Sequence, residues 1–167
     1  MAGTELARLL LRTTIGATMI AHGVKHAQSL DGTARWFGSI GFRQPKLQAT
    51  ASAVVEVGAG SALVLGAATP LAASAVVGTM AVAYRSVHAP NGFFITSEGW
   101  EYVATLSAAS VALSALGPGR FSVDRLVENA VPRSPRLSGL QQAALTALLG
   151  VAAAAVQLAV FWRRPTS

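Results

Sequence analysis

Of the 167 residues, 52% are apolar and only 12% are charged, and the mean hydropathy is +0.49; the charges gather between long apolar runs, as a bilayer requires and a soluble core does not. Thirteen Lys and Arg against seven Asp and Glu leave a net charge of +6, but the basic residues sit at the ends of apolar runs. Anionic lipid headgroups are therefore the expected counter-charge, and nucleic acid is rejected as a partner. The chain has no cysteine, which excludes disulfides, thiolate chemistry, iron–sulfur clusters and Cys-ligated metals.

The composition and apolar runs predict an all-α membrane protein with about five transmembrane helices. The first segment runs from about Leu6 to Val24. Glu5, Arg8 and Arg12 interrupt its start and no small-residue cleavage site follows, so it reads as a retained helix and not a signal peptide. Next, the stretch from Asp31 to Phe42 carries Arg35, Trp36 and Phe37 and reads as a short amphipathic helix on the membrane surface, ended by glycine. The second and third segments, about Leu47–Gly66 and Leu71–Val87, are separated only by a turn at 67–70. Pro70 suits the first turn of a helix, so the two form a tight antiparallel hairpin. Both are rich in small residues such as Gly58, Gly60, Ser61 and Gly78, which let helix backbones approach closely in lipid.

The fourth segment runs from about Trp100 to Leu116, and a second surface helix follows Gly117-Pro118-Gly119. Ser122 is its expected N-cap, and Pro132 and Pro135 are expected to end it. The fifth segment runs from about Leu140 to Trp162. Each apolar segment has roughly 17–23 residues, enough to span a hydrocarbon core of about 30 Å. Trp100, Tyr102 and Trp162 suit an aromatic belt, and Arg163-Arg164 a stop-transfer anchor.

Five antiparallel spans assign every loop to one of two sides. Side A carries the N-terminus, the 67–70 turn and the 117–139 loop; side B carries the 25–46 and 88–99 loops and the C-terminus. The basic residues do not orient the chain: Arg8, Arg12, Arg120, Arg125, Arg133 and Arg136 on side A face a similar number on side B. The unusual polar groups fall mostly toward side B. His22, Lys25 and His26 end the first segment, His88, Asn91 and Glu98 lie in or beside the loop, and Glu101 and Tyr102 open the fourth segment. Glu56 is the deepest, roughly 13 Å from side B at about 1.5 Å per residue. Arg8, Arg12, His22 and His26 share an arc of about 80° on the first helix, a polar stripe expected to face the bundle interior.

A carboxylate as deep as Glu56 must be protonated or paired. It could relay a proton or hydrogen-bond a ligand oxygen, or form a structural pair with Arg12 or Lys25. His22 and His88 could donate hydrogen bonds to a ligand carbonyl, or be interfacial side chains satisfied by backbone and headgroups. They could also ligate haem b axially. His26 reads as interfacial. Lys25 could hold an anionic group or snorkel, and Arg12 could attract an anionic substrate or neutralise Glu56. Glu101 could act at the site or cap its helix, while Tyr102 suits the interface. Asn91-Gly92 is a turn signal, and Phe93 with Phe94 could cover such a ligand site or anchor the loop.

These residues also carry a family likeness. Arg12-x-x-x-Gly16 with His22-Gly23-x-Lys25, Val55-Glu56 with Gly58 and Gly60, His88-x-x-Asn91-Gly92-Phe93-Phe94, Gly99-x-Glu101-Tyr102 and Gly117-Pro118-Gly119-Arg120 together resemble the DoxX family of small bacterial membrane proteins, over about residues 5–128. The resemblance implies a four-helix transmembrane bundle in the bacterial cell membrane and a link to redox chemistry. That chemistry includes quinone-reducing subunits of thiosulfate oxidation and complexes for oxidative stress or sulfur handling. It divides the chain into a bundle (1–128), a polar Pro-containing linker (129–139) and an additional transmembrane helix with a basic C-terminus (140–167). The expected function is a small quinone-interacting redox subunit, with Glu56, His22, His88 and Glu101 as catalytic groups. Arg12, Lys25, Asn91, Phe93 and Tyr102 would bind the quinone, and no metal is expected. Membrane lipids and a protein partner or a second copy are the expected contacts. The rivals are an assembly or anchoring subunit docking through small-residue helix faces, and a small transporter or proton conductor using the polar stripe.

Overall fold

The computed structural model describes residues 2–130 and 137–165; Pro132, Arg133, Pro135 and Arg136, and with them most of the expected linker, lie outside the described residues. Within them the fold is all-helical: α1 (Ala2–Gln28), α2 (Leu30–Ser39), α3 (Pro45–Leu65), α4 (Thr69–Ala83), α5 (Glu101–Leu116), α6 (Val123–Ala130) and α7 (Gly139–Phe161). All five apolar segments are helices, and both expected surface pieces are α2 and α6. Two helices, α3 and α7, are long and apolar enough to cross a membrane. α1 is longer but carries Glu5, Arg8, Arg12 and Lys25, α5 has 16 residues, and the regular part of α4 stops at Ala83. There the helix widens into a π turn at Tyr84–His88, closed by the Ala89 N–H on the Tyr84 carbonyl, and tightens into a 3-10 turn at Ala89–Asn91.

Local sequence fixes the helix ends. Pro45 starts α3, and Gly66, at φ +66°, ends it. A left-handed glycine there lets the Ala67 N–H reach back to the Ala62 carbonyl at 2.8 Å. α7 opens with a capping box: Ser138 Oγ accepts from the Gln141 N–H and the Gln141 side chain accepts from the Ser138 N–H. The Arg125 N–H donates to Ser122 Oγ at 3.2 Å, so Ser122 caps α6 as expected. Asp124 has a further role, because its two oxygens accept from the N–H groups of Ala68 and Thr69 at 2.6 and 2.9 Å. α6 thereby clamps the α3–α4 turn and caps α4.

α1 packs chiefly on α3, and α4 on α7 with α5 alongside. Both crossings are made at glycine. A Cβ on either Gly16 or Gly60 would stand 2.6 Å from the other's carbonyl, and one on Gly150 would stand 2.7 Å from the Ser74 carbonyl. These small residues are used in contacts within the chain, whereas Gly58 has open space around it. Ile15, Met19, Leu63, Val76, Leu106 and Leu113 form the central core.

A second cluster at the side-B end joins Phe37, Phe42, Ala49, Val82, Ala154 and Trp162. Trp162 is therefore buried, not part of an aromatic belt. Its Nε1 donates to the Ile40 carbonyl at 2.8 Å, it pairs with Phe42 in an isolated β-bridge, and the Arg85 guanidinium lies 4.5 Å from its ring. Arg163 does more than anchor, since its N–H bonds the Gly41 carbonyl at 3.0 Å.

At the side-A end the arginines are also tied down. Arg12, 3% exposed, donates to the carbonyls of Leu63, Val64, Pro118 and Phe121 at 2.6–2.9 Å. Arg8 donates twice to the Leu116 carbonyl at the end of α5 and pairs with Glu5. Glu5 accepts from the Arg120 N–H at 2.8 Å; that bond, then Arg8, holds its carboxyl below the ordinary range. The polar stripe of α1 is thus divided between two ends of the molecule.

Candidate functional site

At the side-B end, α1, α3, α4 with its π turn, and α5 diverge around a cavity of about 840 Å³. α2 and the segment after it supply one wall through Trp36, Phe37, Ile40 and Phe42, and Gln157 of α7 reaches the margin. Met19, Val55, Met80, Val103 and Leu106 make apolar surface. The polar groups are set among them: His22, Lys25 and His26 from α1, Ser52 and Glu56 from α3, and His88, Glu98 and Tyr102 from the opposite side. His22, Lys25 and Tyr102 are exposed and mark the mouth, where the His22 and Tyr102 rings stack with centroids 6.3 Å apart.

Glu56 is the deepest of these groups, with a side chain 4% exposed. Its Oε1 accepts from Ser52 Oγ, one helical turn earlier, at 2.6 Å. Its Oε2 stands 3.3 Å from His26 Nδ1 but forms no hydrogen bond. His26 Nδ1 is also 3.3 Å from Ser52 Oγ, which ties the three side chains together. The partner of Glu56 is therefore His26, not Arg12 or Lys25. His26, read from the sequence as interfacial, packs its ring edge-on against Phe37 of α2 at 6.4 Å. The signal was present in two pairs spaced by four residues, His22 with His26 and Ser52 with Glu56, but only the α1–α3 crossing shows which members meet.

Of the nine sequence candidates, the fold brings Glu56, His22, His88, Lys25 and Tyr102 to the cavity and leaves four elsewhere. Arg12 is at the far end of α1, held by backbone carbonyls. Glu101 heads α5, its N–H bonded to the Phe93 carbonyl at 2.8 Å; the neighbouring Glu98 lines the cavity in its place. Asn91 donates to the Val87 carbonyl at 3.2 Å and so closes its own turn. Phe93 packs edge-on against Trp100 at 4.8 Å and stays half-exposed. His88 faces the cavity because the π turn carries it there, and its Nδ1 is fixed 2.6 Å from the Glu98 carbonyl. Sequence reasoning also missed Gln48 and Gln157, whose side chains join α3 to α7 at 2.9 Å. Among the described residues no cluster of three or more His, Cys, Asp or Glu could hold a metal ion.

Chemically, the cavity offers apolar surface and a deep carboxylate beside a histidine. Titratable groups at both its floor and its mouth could accept or give up protons. The profile described as DoxX matches residues 7–89, from α1 through the π turn. A protein of Bacillus subtilis (strain 168) named "Putative oxidoreductase CatD" is 30% identical over 110 residues, which cover 66% of this chain and 80% of that protein. No solved structure matches the chain.

Proposed function

Because the chain belongs to the DoxX family of membrane-associated proteins, we propose that it is a small subunit of a bacterial membrane redox system that binds a quinone in the side-B cavity. The family and the oxidoreductase relative support a membrane redox-related role. In this reading α1, α3, α4 with its π extension, α5 and α7 cross the plasma membrane, and α2 and α6 lie at opposite interfaces. The single observation that carries it is the cavity itself. Its volume, about 840 Å³, falls in the range of about 300–1,000 Å³ that small-molecule sites occupy, and its apolar walls enclose a buried carboxylate.

A bound quinone would supply two-electron, two-proton chemistry. The chain's part is to exclude water with Met19, Phe37 and Leu106, to hold a proton-exchanging carboxylate at Glu56, and to place His22 and His88 near the ring. No residue among these carries electrons, so a partner protein or the substrate delivers them. The structure gives the assembly-subunit reading no added support, since the glycines at the helix crossings are used within the chain.

The test is saturable binding of a short-chain benzoquinone to the purified protein in lipid nanodiscs, read by tryptophan fluorescence. Wild type binds, and Met19→Trp combined with Leu106→Trp, which fill the apolar part of the cavity, weakens binding by about tenfold or more. Unchanged binding in the double variant sinks the assignment. The visible spectrum of the same sample reads out haem b on His22 and His88, the rival cofactor.

A further inference from the structure

Around the cavity, hydrogen-bond donors are committed and acceptors are left over. His88 Nδ1 lies 2.6 Å from the Glu98 carbonyl. A carbonyl cannot donate, so that nitrogen carries the proton, and the other nitrogen of the neutral ring, Nε2, is an acceptor. This reverses the expectation that neutral His88 donates to a quinone carbonyl. At the deep end the Ser52 hydroxyl is committed to Glu56 Oε1 at 2.6 Å. His26 Nδ1 faces Ser52 Oγ and Glu56 Oε2, both at 3.3 Å, so that nitrogen bears a proton turned toward this pair and away from the open cavity. Glu56 Oε2 is buried and makes no hydrogen bond at all. Uncommitted donors lie toward the exposed rim, on Lys25, His22 and the indole N–H of Trp36.

We propose that the cavity selects a ligand that brings its own donor, an aromatic hydroxyl such as a quinol or another phenol, in preference to the carbonyl form. The inference rests on the quinone-site reading and deepens it. An O–H group donates to one of the acceptors at Glu56 and His88, and the two hydroxyls of a quinol have one donor for each, whereas a carbonyl or an ether meets acceptor against acceptor. The recognition involves no electron transfer, and so can be tested with ligands that have no redox chemistry.

The probes are a para-alkylphenol and its methyl ether, which share a shape and differ by one O–H. They are titrated into the full-length protein in lipid nanodiscs at matched bilayer concentration, with tryptophan fluorescence as readout; Trp36 lies in the cavity wall. The phenol binds about 10–100-fold more tightly than the ether, as expected for one hydrogen bond to an otherwise unpaired acceptor. Because the phenol has one O–H to give, either Glu56→Gln or His88→Phe, whichever removes the acceptor it uses, reduces that ratio while leaving ether binding nearly unchanged. Equal affinity in the wild type overturns the proposal, and so does a ratio that survives in both variants. The wild-type comparison stands even if a variant fails to fold. A benzoquinone that cannot displace bound phenol counts against the quinone-site reading alone.

Discussion

At the scale of single residues, the same side-chain chemistry serves different ends at the two ends of α1. Arg12 meets four backbone carbonyls contributed by the end of α3 and the loop after α5. Its planar fork can reach all of them at once, which a lysine cannot. Arg12→Met should therefore destabilise the protein by about 3 kcal/mol or more, because several buried carbonyls lose their partner together. Arg12→Lys should recover less than half of that, while phenol or quinone affinity in the protein that folds stays within about twofold. Thermal unfolding in detergent and the ligand titration check the two halves. The sequence showed that a mid-helix arginine needed a partner, but carbonyl partners have no side-chain signature, so it offered only an anionic substrate or Glu56, and the structure pairs Arg12 with neither. His26 was misplaced for a related reason: its position at a helix end suggested headgroups, and the roof that α2 builds over it is a tertiary feature.

At the scale of helices, apolar length was a dependable guide, and each of the five segments is a helix close to its expected bounds. Small residues were legible as sites of close packing, but which glycine faces which helix was not, because helices this uniformly apolar show little facial contrast. Gly60 and Gly58 separate the cases. A Cβ at Gly60 would stand 2.6 Å from the Gly16 carbonyl, while one at Gly58 would meet nothing within 4 Å. Gly60→Ala should cost about 1–3 kcal/mol by forcing α1 and α3 apart. Gly58→Ala should be neutral or stabilise by up to about 1 kcal/mol through helix propensity. Reversible unfolding of both variants in one detergent decides the contrast. The π turn left no trace in the hydrophobic pattern, which is why His88 could be assigned to a loop but not to a direction.

For the molecule as a whole, the fifth helix is more than a neighbour added to four. It lies along α4 and α5, and its C-terminal end is fastened to the segment that supplies Phe42 to the cavity. Trp162→Ala should lower stability by about 3–5 kcal/mol, as for a fully buried aromatic. It should also speed amide exchange at residues 40–43 while leaving the Arg12 end unchanged. Trp162→Phe, which loses the bond to Ile40 and part of the ring's packing, should cost less, about 1–3 kcal/mol. Hydrogen-exchange mass spectrometry of the three proteins reads this directly. The same fastening has a consequence for how the site comes into being. Ile40 and Trp162 are 122 residues apart in the chain, so at translation rates of about 5–20 residues per second the ribosome needs about 6–24 s to travel between them. Through that interval the first helices can insert and cross and α2 can pack on α3, but the wall behind the cavity lacks its fastening to Trp162. The site is completed last, by a residue that forms none of its chemistry, so a nascent chain arrested before α7 should be present in the membrane without yet having a finished site.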